Sequence, residues 1–193
     1  MKDQDIHPWL TRMIQGDSEA FRYVYEATSD HVYRTLYVLL NNREDADDVM
    51  NEVYMQLFKS LPSYQTTQPF RPWLNGLIMR QASNWRRKQW RKGRLLERLK
   101  LFHRSGHDQA VADEPYQAEE QRKEMMDLIN GLSYKLREVI VLKYYQHCTL
   151  EEIAEALQLP LGTVKSRQHA ALRKLRQLSE QQGIGKETIF HAD

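Results

Sequence analysis

Cysteine is nearly absent from this sequence: Cys148 stands alone among 193 residues. One thiol cannot build a disulfide framework, so apolar burial must hold the fold together and a reducing cytoplasm is the expected compartment. No apolar run is long enough to cross a bilayer, and the opening MKDQDIHPWL carries no signal-peptide core. Glycine and proline are few, 8 and 6, and no segment alternates apolar and polar residues as a half-buried strand would. An all-α protein is what these absences leave. Charge of one sign is missing in bulk as well. Lys and Arg total 28 against 26 Asp and Glu, a net charge of +2, so any attraction for nucleic acid depends on where the charges sit. No nucleophile with a base, no phosphate-cradling glycine loop and no metal-ligand spacing is present. No catalytic residue, metal or cofactor is therefore expected, and the chain is not read as an enzyme. His103 and His107 flank Ser105-Gly106 with no thiolate nearby, and His147-Cys148 is a lone pair of the kind that is usually structural.

What the sequence does contain is helical periodicity, clearest in TLEEIAEALQLPLGTVKSRQHAALRKLR, residues 149–176. Leu150, Ile153, Ala154 and Leu157 make one apolar face of a short helix. Thr149 with Glu152 three residues on predicts a capping box at its start. Leu159-Pro160-Leu161-Gly162 breaks that helix, since proline lacks the amide needed to continue it. A second helix follows, with Val164, Ala171, Leu175 and Leu178 inward. Ser166, His169, Ala170 and Arg173 lie on its other side, with Lys165 and Arg167 flanking. Small polar and basic residues at the N-terminal end of such a second helix suit a DNA major groove. An ordinary core hairpin has the same apolar pattern but no use for the Lys165-Ser166-Arg167 triplet.

Earlier in the chain, Ile6, Leu10, Met13 and Ile14 make a short apolar stripe. Gly16-Asp17 punctuates, and Phe21, Val24, Tyr25, Thr28, Val32, Leu36 and Leu39 predict a long helix closed by Asn41-Asn42. Residues 1–42 read as scaffold. Over 43–61, Ala46, Val49, Met50, Val53, Leu57 and Leu61 point inward. Asp48, Asn51, Glu52 and Met55 share another face, with Asp47 and Gln56 beside it. The early acids complement the helix dipole. The later ones could equally dock a basic partner helix. Pro62 to Pro69 is a loop in which Tyr64 and several Gln and Thr residues could hold an unstacked base or be plain loop residues.

Residues 70–92 carry Phe70, Trp73, Leu74, Leu77, Ile78, Ala82 and Trp85 at core spacing. Arg80, Asn84, Arg87 and Arg91 fall on a different face, and the basic run continues through Arg86, Lys88, Lys92, Arg94, Arg98, Lys100 and Arg104. Such a stripe supplies salt-sensitive affinity for DNA, with Trp85 and Trp90 as stacking surfaces, or else is a solvated helix face. Residues 103–120 lose all periodicity and read as a flexible linker, one that reaches roughly 60 Å if extended. Met125, Met126, Leu128, Ile129 and Leu132 then predict one helix. Ser133 caps another, with Leu136, Val139, Ile140 and Tyr144 inward. With the helix-turn-helix these make a four-helix module. The expected organisation is two small helical domains, 1–102 and 121–180, joined by the 103–120 linker, with a tail over 181–193.

Three stretches in order resemble the bacterial sigma factors of the extracytoplasmic-function type, in the sigma-70 family. NREDADDVMNEVYMQLFKSL resembles the helix that binds the β′ clamp helices of core RNA polymerase. FRPWLNGLIMRQASNWRRK resembles the helix facing the −10 promoter element. LSYKLREVIVLKYYQHCTLEEIAEALQLPLGTVKSRQHAALRKLR resembles the domain that reads the −35 element. The resemblance implies core RNA polymerase, through its β′ clamp helices and β flap, and promoter DNA as partners. It implies polymerase docking by Asp47, Asp48, Asn51, Glu52 and Gln56. It implies contact with the −10 non-template strand by Tyr64, Arg80, Asn84, Arg87 and Arg91. For the −35 duplex it implies Thr163, Lys165, Ser166, Arg167, His169 and Arg173. An anti-sigma factor, common in the family, is a further partner that no residue here specifies. Many members carry Asn at the position of Arg80, and some carry a base-reading Arg at that of Ala170. A methyl can meet a thymine methyl but cannot take guanine by a bidentate bond. Two alternatives of other classes are a stand-alone helix-turn-helix regulator and a polymerase-binding adaptor that reads no DNA.

Overall fold

A computed structural model describes residues 3–65, 67–99 and 124–182, and among these it contains helices and no strand. The helices are α1 (Asp3–Ile14), α2 (Ser18–Leu40), α3 (Arg43–Ser60) and α4 (Phe70–Leu99), then α5 over residues 124–130, α6 (Tyr134–Ile140), α7 (Leu150–Leu157) and α8 (Leu161–Gln182). The expected linker, the end of the basic run beyond Leu99 and the tail after Gln182 lie outside the described residues.

Local chemistry sets the boundaries. Gly16 adopts φ +86°, a left-handed turn that glycine reaches without strain. Asp17 then caps α2 by accepting from the amides of Glu19 and Ala20. Asn41, at φ 52°, ends α2, and Asn42 caps α3 by accepting from the Asp45 amide at 2.9 Å. Thr149 and Glu152 form the expected capping box, with both reciprocal bonds present. Gln158, at φ 53°, ends α7 before Pro160 is reached. Ser133 occupies the expected cap position of α6, yet its side chain makes no capping bond. After α6 the chain widens into a π-type turn, Val141–Tyr145. That turn carries Gln146 and Cys148 inward, to 4% and 6% exposure.

Helices α1 to α4 pack as one module, with Ile6, Leu10, Leu36, Val53, Leu57, Phe70, Leu74 and Ile78 at its centre. Ile14 is the exception in its stripe and lies 49% exposed. Helices α5 to α8 make up the C-terminal module. Within it α5, α6 and α8 close a small core of Leu128, Leu132, Ile140, Ala171 and Leu175, whereas the buried residues of α7, Ile153 and Ala156, join the first module's core.

The modules are not apart. Val139, Val141, Leu142, Cys148, Ile153, Ala156 and Val164 belong to the same buried cluster as the first module's core. Helix α7 lies across α4 at Gly76, where an added methyl would come within 3.5 Å of the Ala156 carbonyl oxygen. Polar groups complete the seam. Gln146 Nε2 donates to Thr35 Oγ1 at 2.5 Å, and Asn75 Nδ2 donates to Cys148 Sγ at 3.3 Å. Arg137 donates through Nη1 to the Leu39 carbonyl at 3.1 Å.

Candidate functional site

Helix α3 separates its faces as the spacing predicts. Ala46, Val49, Met50, Val53 and Leu57 are buried, while Asp47, Asp48, Asn51 and Glu52 are exposed and Gln56 is half-buried. The exposed strip is not purely polar. Met55 and Phe58 are each 54% exposed, and they follow Asp48 and Asn51 on the same helical line. Phe58 was not singled out from the sequence. Its spacing, three residues after Met55 and seven after Asn51, was the available signal. The strip is therefore acidic at one end and apolar at the other, complementary in charge and shape to a basic, amphipathic helix.

Helix α2 adds aromatic side chains beside this strip. Phe21 and Tyr25 are 38% and 39% exposed and gather around Tyr54 of α3, with Tyr25 and Tyr54 ring centroids 4.7 Å apart. Tyr54 is anchored by a 2.8 Å hydrogen bond with Thr28. Burial pushes its phenol up to about 12, so it stays protonated.

Helix α4 has three faces. One carries Phe70, Leu74, Leu77, Ile78 and Ala82 into the first module. A second, Asn75, Gly76, Ser83 and Arg86, meets the C-terminal module: Ser83 Oγ donates to Glu138 Oε1 at 3.1 Å, and the Arg86 guanidinium stacks over Tyr134 at 4.3 Å. The third is open, with Arg80, Asn84, Arg87 and Arg91 all exposed. Arg87 is oriented by donating to Asn84 Oδ1 at 2.9 Å. Trp90, 62% exposed, lies among these bases, whereas Trp85 is half-buried.

The structure corrects one expected contact. Tyr64 does not face outward: it is 9% exposed, bonded to His7 Nε2 at 3.1 Å, donating to the Gln68 carbonyl, and packed on Trp73 at 4.6 Å. An aromatic ring gains more from burial between Phe70 and Trp73 than a solvent-exposed loop position offers, and its hydroxyl finds partners there. It braces the 62–69 loop instead of presenting a stacking face.

On α8, Val164, Ala171 and Leu175 are buried, Leu178 is half-buried, and Lys165, Ser166, His169 and Arg173 are exposed. Thr163 and Arg167 are half-buried. Ser166 donates back to the Gly162 carbonyl at 2.9 Å, which leaves its lone pairs outward. Arg167 acts on Glu138 of α6. Burial raises the Glu138 carboxyl above its usual range, and the Ser83 bond and the Arg167 and Arg86 charges pull the other way. The first turns of α8 therefore offer a positive, hydrogen-bonding surface of the size a major groove admits.

Among the described residues no cluster of three metal-ligating side chains occurs, and no helix is long and apolar enough to cross a membrane. The three surfaces are an acidic and apolar strip, a basic strip and a helix-turn-helix. Together they define a class: an all-helical protein built to hold nucleic acid and a second macromolecule at once.

Comparison with known proteins makes this definite. Residues 24–92 match the family pattern Sigma-70 region 2, and residues 128–177 match Sigma-70, region 4. The ECF RNA polymerase sigma factor SigW of Bacillus subtilis is 28% identical over 173 residues, covering 86% of this chain and 92% of that protein. The structure of CnrH in complex with the cytosolic domain of CnrY superposes with a TM-score of 0.65 at 20% identity, over 89% of this chain and 95% of that one. The sigma factor RpoE of Bartonella quintana, solved with the anti-sigma factor NepR, also gives 0.65, at 19% identity over 83% and 96% of the two chains. The chain belongs to the sigma-70 family, as a sigma factor of the extracytoplasmic-function type. Its function is to direct RNA polymerase to promoters.

Proposed function

We propose that the exposed strip of α3 docks core RNA polymerase, with Asp47, Asp48, Asn51, Glu52 and Gln56 meeting the β′ clamp helices and Met55 and Phe58 entering apolar contacts beside them. The open face of α4, Arg80, Asn84, Arg87 and Arg91, lies along the −10 non-template strand. Thr163, Lys165, Ser166, His169 and Arg173 of α8 meet the −35 duplex, and Arg167 supports that surface through Glu138. The β flap holds the C-terminal module on the polymerase. The observation that carries this reading is the segregation of α4, whose basic face stays open while its two other faces are packed. A helix that served only as scaffold would have no reason to keep four such residues in line and exposed.

On this reading the protein works by binding alone. Capture of an unstacked −10 base stabilises the melted promoter, with no covalent step and no enzymatic activity of its own. It acts in the cytoplasm, where polymerase and promoter are. An anti-sigma factor is a further proposed partner, supported by the likeness to a sigma factor solved with one.

Promoter binding also requires the modules to separate. The −10 and −35 elements are centred about 25 base pairs apart, about 85 Å at 3.4 Å per pair. A compact chain of this length has a radius of gyration of about 16 Å, so it is about 40 Å across. The packed arrangement cannot touch both elements.

The test is reconstitution. Purified protein should bind core polymerase in a pull-down and confer start-site selection in vitro on DNA upstream of transcripts that rise on its overexpression. A stand-alone regulator would bind that DNA without polymerase, and an adaptor would bind polymerase without selecting a start site.

A further inference from the structure

The loop that leads into α4 is held by a residue of α1. Tyr64 packs inward against Phe70 and Trp73, with ring centroids 6.0 and 4.6 Å away, and its hydroxyl bridges two partners. It donates to the Gln68 carbonyl and meets His7 Nε2 at 3.1 Å. A phenol has a single proton to give. That proton goes to Gln68, because a carbonyl only accepts, so His7 carries a hydrogen on Nε2 and donates it to Tyr64. The neutral Nε2 tautomer and the imidazolium both do this. His7 is itself fixed in place, since Ile6 and Leu10 beside it in α1 are buried in the first module's core.

The bonds continue outward from the ring. The Tyr64 amide donates to the Leu61 carbonyl at 3.0 Å, and the Gln68 amide donates to the Gln65 carbonyl at 2.9 Å, which closes a turn. Gln65, Thr67 and Gln68 are exposed on it. They offer two amides and a hydroxyl, which donate and accept without charge. A polar surface turn can rest on water alone; this one stands on a buried aromatic ring and on a histidine from another helix. Such bracing removes loop freedom before any ligand arrives. Fixed, uncharged donors and acceptors suit the edge of a base that has left its stack, a target that a loosely held site misses. The place is consistent with that use. Helix α4 begins at Phe70, straight after the loop, and Arg80 of the open basic face follows about 15 Å along the helix.

We propose that His7 is a positioning residue for −10 recognition: through Tyr64 it fixes the turn that presents Gln65, Thr67 and Gln68, and those side chains read one unstacked base of the non-template strand. The inference rests on the −10 reading of α4 given above. It adds a contribution from α1, which lies ahead of the matched family pattern that begins at residue 24. Two tasks are thereby divided. The arginines of α4 hold phosphates and set affinity, while the braced loop sets which base is accepted.

The experiment uses the full-length protein bound to core polymerase. The probe is a fluorescent single-stranded oligonucleotide with the non-template −10 region of a promoter mapped from its transcripts. A matching set replaces each base in turn by an abasic site. In the wild type, one abasic position should cost about tenfold in affinity, the worth of one or two hydrogen bonds. In His7→Leu and Tyr64→Phe the penalty at that position should shrink to about twofold, with core affinity and the penalties elsewhere unchanged. His7→Gln keeps a side-chain N–H donor and should restore most of it. Exchange of the Gln68 amide hydrogen in the free protein should quicken in His7→Leu and Tyr64→Phe and not in His7→Gln. A histidine that only stabilised the fold would weaken binding to every oligonucleotide alike. A wild-type profile with no sensitive position overturns the −10 reading and the brace with it. A sensitive position that persists in His7→Leu and Tyr64→Phe, or a loss that His7→Gln does not restore, overturns the brace alone.

Discussion

Asn75 and Cys148, 73 positions apart in sequence, meet at 3.3 Å where the Asn75 side-chain amide donates to the Cys148 sulfur. Asn75 is fully buried in α4, and its oxygen accepts from His31 Nε2 of α2 at 2.8 Å. One asparagine therefore ties α2 and α4 of the first module to the residue just ahead of the helix-turn-helix. A buried amide with both ends satisfied specifies one packing of the two modules, because any other leaves it unpaired.

Cys148 is the only cysteine, so its reaction with a thiol reagent reports whether the seam is open. Burial also raises its thiol above the usual range, which slows attack further. The wild type should label slowly. Asn75→Ala leaves two buried groups unpaired at a cost of about 1–3 kcal/mol, so labelling should speed by about tenfold or more. Core polymerase with promoter DNA should speed it too. Equal rates in the free protein and the promoter complex would mean the modules stay together.

His31 gives the seam a pH dependence. Burial lowers its pKa below the usual value. The Asn75 bond opposes that, and the Arg71 charge adds to it. The folded state thus disfavours the protonated ring. Stability is full above the unfolded pKa and falls as pH drops through it towards the lowered folded value. Glu138 has the opposite sign, since its raised carboxyl is relieved on acidification. Urea unfolding at pH 7.5 and 5.5 of wild type and His31→Gln separates them. The wild type should lose more on acidification than the variant, which keeps a donor near Asn75 and cannot titrate.

On α3, reversing Asp48 and Glu52 to Lys should abolish polymerase binding while circular dichroism stays unchanged, since both side chains are exposed. Phe58→Ala tests the apolar half of the strip. An interface anchor of this type costs about 2 kcal/mol or more, roughly 30-fold in affinity. Anisotropy titration against core enzyme measures both. Wild-type affinity in the double charge reversal would remove α3 from the docking surface.

Arg173→Ala should weaken −35 duplex binding alike on cognate and scrambled sequences. It should also lower the slope of log affinity against log salt by about one phosphate contact. On the proposed reading Ser166→Ala should instead narrow the difference between the two sequences, because the hydroxyl is exposed in the second turn of α8. Binding assayed across a salt series reads both, and an unaltered slope for Arg173→Ala would exclude a phosphate contact.

Much of this protein was settled by its sequence alone, wherever the cause is local. Helix periodicity, the Asp17 and Thr149 caps and the three exposed strips all depend on neighbours within one or two turns, so spacing reveals them. Tyr64 was misread because an aromatic ring in a polar loop has no periodic partner to show which way it turns. Only the tertiary structure decided that the two modules share a core and that Asn75, Gln146 and Cys148 are buried against each other's helices. Those groups are polar or isolated in their own segments, and what buries them arrives from up to 111 residues away, as with Gln146 and Thr35. A long-range pairing of that kind leaves no repeat in the chain from which it could be read.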